Sequence, residues 1–174
     1  MLNQSERIAR AEELMDGFAV RTGLNDDGPG RRYLWTDAFA VCNLLGLARS
    51  TGDAGYTVMA RRLIGRVHET LGRYHPEDGR EGWISGLEDG EAAGHPTAGG
   101  LRIGKPMPER KDGEEYDERL EWDRDGQYYH YLARWMHALD LAARLTGDPR
   151  YATWACELAT AAGKAFVYVN PAGR

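Results

Sequence analysis

Leu47-Ala48-Arg49-Ser50-Thr51-Gly52-Asp53-Ala54-Gly55-Tyr56 lies over Ala142-Ala143-Arg144-Leu145-Thr146-Gly147-Asp148-Pro149-Arg150-Tyr151 at a constant offset of 95 residues (53 to 148, 56 to 151). Each copy reads as the end of an apolar helix, a Thr-Gly-Asp turn, and a second helix opening near a tyrosine. Glycine stops one helix and aspartate caps the next. The duplication predicts two helical hairpins of the same build.

Outward from the first turn, Leu34, Trp35, Ala38, Phe39, Val41, Cys42, Leu44, Leu45 and Leu47 occupy nearly the whole circumference of a helix from about Tyr33 to Ser50. That pattern marks an interior helix. After the turn, Tyr56, Met59, Ala60, Leu63, Ile64, Val67 and Leu71 form one stripe of an amphipathic helix over about Ala54 to Tyr74. The second copy repeats the order, with an apolar helix over about Gln127 to Leu145 and an amphipathic one over about Pro149 to Phe166. A first amphipathic helix, capped by Ser5, precedes them, and Gly23 to Gly30 reads as a turn-forming loop. Between the hairpins, residues 75–126 form a Gly- and Pro-rich tract whose Trp, His and Arg content favours an ordered rim or lid. Trp83-Ile84-Ser85 and Leu101-Arg102-Ile103 are candidates for a pair of short strands there.

The 174 residues make one domain, 42% apolar and 28% charged. The net charge of −5, from 22 basic and 27 acidic residues, argues against a nucleic-acid partner, and no apolar run is long enough to span a membrane. The N-terminus lacks a basic-then-apolar leader pattern, so the cytoplasm is the default location. Cys42 and Cys156 sit inside apolar helical patterns and read as buried free thiols.

Inner and outer helices joined by a Thr-Gly-Asp-x-x-Tyr turn resemble the (α/α) toroid proteins, the six-hairpin glycosidase-like and N-acylglucosamine 2-epimerase-like families. Leu34-Trp35-Thr36-Asp37-Ala38-Phe39, Gly100-Leu101-Arg102-Ile103-Gly104-Lys105 and Leu120-Glu121-Trp122-Asp123-Arg124-Asp125-Gly126-Gln127-Tyr128 are similar to a poorly characterised branch of that superfamily. The resemblance implies an all-α fold with residues 1–174 as a partial toroid. The chain then corresponds to the N-terminal half of a ring, or to a half-ring completed by a second copy. It also implies a substrate cleft at the N-termini of the inner helices, where Tyr33, Trp35 and Asp37 meet Asp123, Asp125, Gln127, Tyr128 and His130.

That cleft carries the residue types of a saccharide site. Carboxylates bond hydroxyls, and aromatic faces stack on C–H surfaces. Glycoside hydrolysis needs two carboxyl groups kept at different protonation by their surroundings. Asp37, Glu121, Asp123 and Asp125 are the candidates, and Asp37, among Trp35, Ala38 and Phe39, is the one whose pKa the sequence predicts to be raised. His130 is placed for the proton transfer of a sugar epimerase or isomerase, with His137 near the same helical face. The plainer alternatives are helix-capping aspartates and a core histidine bonded to a backbone carbonyl. Trp35, Trp122 and Tyr128 are candidate stacking platforms, or simply core. Gln127 offers an amide to the same cleft. Arg102 and Arg124 can clamp an acidic sugar group or pair with Asp and Glu.

No cofactor or metal is expected. Gly99 to Lys105 matches phosphate-loop spacing but continues into Pro106, and the calcium-like run from Glu121 has Leu132 where a bidentate Glu belongs. The function expected is that of a carbohydrate-active enzyme, hydrolase or epimerase. The alternative is a non-catalytic toroid fragment that binds a saccharide or a protein.

Overall fold

The computed structural model describes residues 3–26, 28, 30–111 and 113–167. Among them it is all-α: α1 (Gln4–Arg21), α2 (Leu34–Thr51), α3 (Ala54–Leu71), the single turns α4 (Asp89–Ala92) and α5 (Glu118–Glu121), α6 (Tyr129–Thr146) and α7 (Pro149–Phe166). The five long helices are those expected. The cap of α1 is Asn3 rather than Ser5, because Asn3 and Glu6 each bond the other's backbone N–H as a capping box.

The two Thr-Gly-Asp turns share one hydrogen-bond scheme. Thr51 Oγ1 donates to Leu47 O (2.8 Å) and Thr146 Oγ1 to Ala142 O (2.7 Å), holding the last turns of α2 and α6. Gly52 (φ 77°) and Gly147 (φ 71°) then take the left-handed conformation that ends each helix, where a Cβ would be strained. Asp53 accepts from Gly55 N (2.7 Å), and Asp148 from Arg150 N (3.1 Å), capping α3 and α7. Asp53→Ala and Asp148→Ala are each expected to lower stability by about 1 kcal/mol, nearly additively in the double variant, as read by urea denaturation.

Helix α2 packs on α1, α3 and α6, and α6 packs on α2 and α7. Each hairpin is antiparallel, while α2 and α6 run parallel. Trp35 meets Tyr131 at the N-terminal ends (centroids 5.3 Å), and Leu145 lines one surface cavity with Leu45 and Ala48 near the C-terminal ends. Leu34, Leu44, Leu63, Ile64, Leu71, Leu132, Trp135, Leu139 and Leu158 are fully buried between these helices. Trp135 donates its indole N–H to His68 Nε2 (3.0 Å), and the His68 ring stands edge-on to Trp154 (5.0 Å), so a neutral histidine ties α3, α6 and α7 together.

Helix α6 departs from the all-round apolar reading. Leu132, Trp135, Ala138, Leu139 and Ala142 are buried, but His130, Arg134, His137, Asp140 and Arg144 recur at helical spacing along an exposed face. Neither cysteine is the buried thiol expected: Cys42 on α2 is only partly buried and Cys156 on α7 is exposed.

The described residues of the tract at 75–126 are bonded to the helices at several points. Trp83 to Ser85 and Leu101 to Ile103 do not pair as strands. Trp83 forms an isolated bridge with Arg73, and Leu101 to Ile103 is stitched elsewhere. Arg102 N donates to Leu71 O (3.0 Å), Ile103 N to Gly126 O (2.9 Å), and Ile103 O accepts from Leu34 N (3.0 Å). One extended segment thus ties the end of α3, the start of α2 and the run before α6. On the far side, Trp154 Nε1 donates to Gly94 O (2.8 Å) and Thr97 Oγ1 to Trp154 O (2.9 Å), fastening the tract to α7. No helix among the described residues is long and apolar enough to cross a membrane.

Candidate functional site

The parallel arrangement of α2 and α6 brings their N-terminal aromatic residues together. The ring of Tyr131 lies 5.7 Å from that of Tyr33, 4.6 Å from that of His130 and 6.0 Å from that of Tyr128. Trp35 backs this cluster, 5.9 Å from His130, with the Arg134 guanidinium over its ring (5.6 Å). The hydroxyls of Tyr33 and Tyr131 are hydrogen-bonded at 2.5 Å. Burial, then that bond, pushes the Tyr131 phenol up to about 12, so it stays a neutral hydroxyl.

In front of the cluster is a cavity of about 420 Å³. Its walls include Tyr33, Tyr128, His130 and Tyr131 from the helix ends, and Lys105, Tyr116, Glu118, Glu121, Trp122 and Arg124 from the rim. Such a volume falls in the range of small-molecule sites, roughly 300–1,000 Å³. Trp122 is 74% exposed on the lip. The Lys105 ammonium donates to Trp122 O (2.7 Å) and lies 5.9 Å from the centroid of the Tyr33 ring.

The run from Arg124 to Tyr128 is extended, so successive side chains point to opposite sides. Arg124 and Tyr128 face the large cavity. Asp125 and Gln127 face a second cavity of about 110 Å³ that also touches Tyr74, His75, Arg80 and Arg102. Sequence reading placed Asp125, Gln127 and Tyr128 in one cleft; pleating divides them between two.

The carboxylates singled out from sequence do not converge. Asp37 is fully buried, and its Oδ2 accepts from Tyr33 N (3.0 Å) at the start of α2. Its Oδ1 lies 3.8 Å from Arg32 Nη1, and Arg32 also donates to Thr22 O (2.6 Å). Burial raises the Asp37 carboxyl to about 6, against the pull of Arg32 and of the Tyr33 N–H. The raised value expected from its apolar neighbours is therefore present, but the group is a floor beneath the aromatic cluster and lines neither cavity. Asp125, 3% exposed, accepts from Gly104 N (2.8 Å), Gly126 N (3.0 Å) and Arg102 Nη1 (2.6 Å). Arg102 in turn donates to Thr70 O (2.8 Å) and Arg73 O (2.9 Å). The pair caps the carbonyl end of α3, where a cation also suits the helix dipole. The Asp123 side chain is exposed and lines neither cavity, while its carbonyl accepts from Met107 N (2.9 Å).

Gln127 donates to Gly99 O (3.1 Å), holding the rim rather than reaching the larger cavity. Arg124 is buried in an ion pair with Glu114. Glu121 does line the large cavity, paired with Arg110 (3.0 Å). His130 is exposed at the cavity edge, 6.2 Å from Tyr128 in an edge-on contact. Sequence reading missed Lys105, Tyr116 and Glu118. The signal for Glu118 was present, since Asp117 caps α5 through Arg119 N (2.9 Å) and Glu118 stands three residues before Glu121 on that turn.

Compared with models of protein families, with curated proteins and with solved structures, the chain finds no significant match.

Proposed function

We propose that the two hairpins belong to an (α/α) toroid, and that the cavity before α2 and α6 binds a saccharide. The arrangement that supports the toroid reading is the parallel pair α2 and α6, each backed by an antiparallel partner, α3 or α7. The observation that carries the binding reading is the cavity itself. Tyr33, Trp122, Tyr128, His130 and Tyr131 supply apolar ring surface, and Glu118, Glu121 and the phenols supply groups for hydroxyls.

Of the two forms of this reading, binding without catalysis is favoured by the bonding of Asp37 and Asp125. Both are committed to backbone N–H groups and arginines. An enzymatic form rests on His130 and Glu121, the histidine and the carboxylate among the acid–base candidates that line the cavity. In either form the ring is completed by a second copy of the chain, and sedimentation as a clean monomer counts against that.

Calorimetric titration with a panel of mono- and oligosaccharides tests the binding reading. Tyr128→Ala, which removes a ring of the wall, is expected to weaken the bound saccharide by about tenfold, equivalent to about 1.4 kcal/mol. No heat and no thermal shift with any saccharide removes the proposal.

A further inference from the structure

A third cavity, of about 130 Å³, opens in the groove between α2 and α6. Ala38, Phe39 and Cys42 line it from α2, and Arg134 and His137 from α6. It shares no lining residue with the large cavity. Trp35 stands between the two, 5.9 Å from His130 of the large one and 5.6 Å from Phe39 of the small one. Whole small-molecule sites occupy roughly 300–1,000 Å³, so a space of this size suits a ligand of few atoms.

Its charge is one-sided. The Arg134 guanidinium lies over Trp35 and Phe39, 5.6 and 5.8 Å from their ring centroids. Stacking uses the face of a guanidinium and leaves the N–H groups around its edge, a fork that matches a carboxylate. Neither Arg134 nor His137 has a side-chain hydrogen bond or ion pair among the described residues. The two rings also restrain the long arginine side chain, so less freedom is lost when an anion binds. No carboxylate lines the cavity. On α2, Asp37 is fully buried and bonded to Tyr33 N, and on α6, Asp140 is held by Arg144 (2.8 Å).

The remaining walls are apolar. Ala38 is buried, and Phe39 presents its ring, 45% exposed. Burial pushes the Cys42 thiol up, so it faces the cavity as a neutral group.

We infer that this groove is a second binding site, for a small carboxylate with an apolar body. Arg134 takes the carboxylate in its fork, and Phe39 and Cys42 cover the body. The site is independent of the saccharide reading, because the two cavities have no wall in common.

Titration of the intact protein at low ionic strength with benzoate, its neutral isostere benzamide, acetate and inorganic phosphate tests this. Nuclear magnetic resonance follows the Arg134 Nε–H and the Trp35 indole N–H. Benzoate is expected to shift both, and to bind at least about tenfold more tightly than any of the other three. Arg134→Met is expected to abolish the preference for benzoate over benzamide. Arg134→Lys, a point charge without the fork, recovers only part of it. Circular dichroism confirms the fold of both variants.

Equal affinity for benzoate and benzamide overturns the inference, since no charge is then recognised. Acetate or phosphate binding as tightly as benzoate overturns it too, since the apolar walls then play no part. A preference that survives in Arg134→Met puts the anion elsewhere and has the same consequence. Saccharide binding in the large cavity, or its failure, leaves each of these results unchanged.

Discussion

Asp125→Ala is expected to cost about 3–5 kcal/mol of stability, the penalty typical of removing one partner from a buried ion pair. The aspartate accepts three hydrogen bonds in a space it nearly fills: two from backbone N–H groups, Gly104 and Gly126, and one from Arg102. Without it, the Arg102 guanidinium keeps its carbonyl partners on Thr70 and Arg73 but loses its counter-charge, and two backbone donors lose their acceptor. The loss extends to the site, because Arg124 and Tyr128 flank this residue on the cavity side of the same extended run. Urea denaturation reads the stability. Asp125→Asn, which keeps an acceptor oxygen but no charge, is expected to fall between the two. A loss below about 1 kcal/mol for the alanine variant would show that the rim is held in place without this arch.

The contributions of two buried groups to stability are expected to cancel as the pH falls from about 6 to about 3.8, because they act in opposite directions there. Burial beside Trp135 and Trp154 holds the His68 imidazole down at about 3, against an ordinary 6.5. The unfolded chain takes up that proton first, so His68 removes stability as the pH falls from 6.5 towards 3, by about 5 kcal/mol when complete. Asp37 is raised by burial to about 6 from an ordinary 3.8. The native chain takes up that proton first, so Asp37 restores about 3 kcal/mol as the pH falls from 6 to 3.8. Over that window the two slopes cancel, and below it the loss from His68 continues, joined by Asp78, Asp89, Glu114 and Asp148, whose carboxyls are held below their ordinary range first by hydrogen bonds to their side-chain partners. Asp37→Asn is expected to expose a decline of about 1.4 kcal/mol per pH unit across the window, and His68→Gln a rise of the same size. Denaturant titrations of the three proteins over the acidic range check this. A flat profile for Asp37→Asn would overturn it.

The helices were legible because their signals are local. Thr51-Gly52-Asp53 and Thr146-Gly147-Asp148 contain their own stop and start chemistry, and the observed hydrogen bonds are those the residue types call for. The meeting of Trp35 with His130 was implied by the toroid resemblance and supported by the repeat, since the offset of 95 makes the two residues equivalent at the starts of α2 and α6. The carboxylates were not legible in the same way. Asp37, Asp123 and Asp125 have the same side chain and similar aromatic neighbours in the sequence, yet one lies under the cluster with Arg32, one is in solvent and one is locked to Arg102. The arginine partners of Asp37 and Asp125 come from 5 and 23 residues away, and no periodic pattern announces them.

The chain by itself determined five long helices, their turns, their pairing into two similar hairpins and the aromatic character of the ends that meet. Backbone propensity and side-chain periodicity act within a few residues, so the sequence alone displays them. Only the tertiary structure decided which charged groups face the cavity. That choice depends on the path of residues 75–126 over the helix ends, where the pleat of one extended run sends Tyr128 to one side and Asp125 to the other. It also brings forward Glu118 and Lys105, which no local pattern joins to the aromatic cluster.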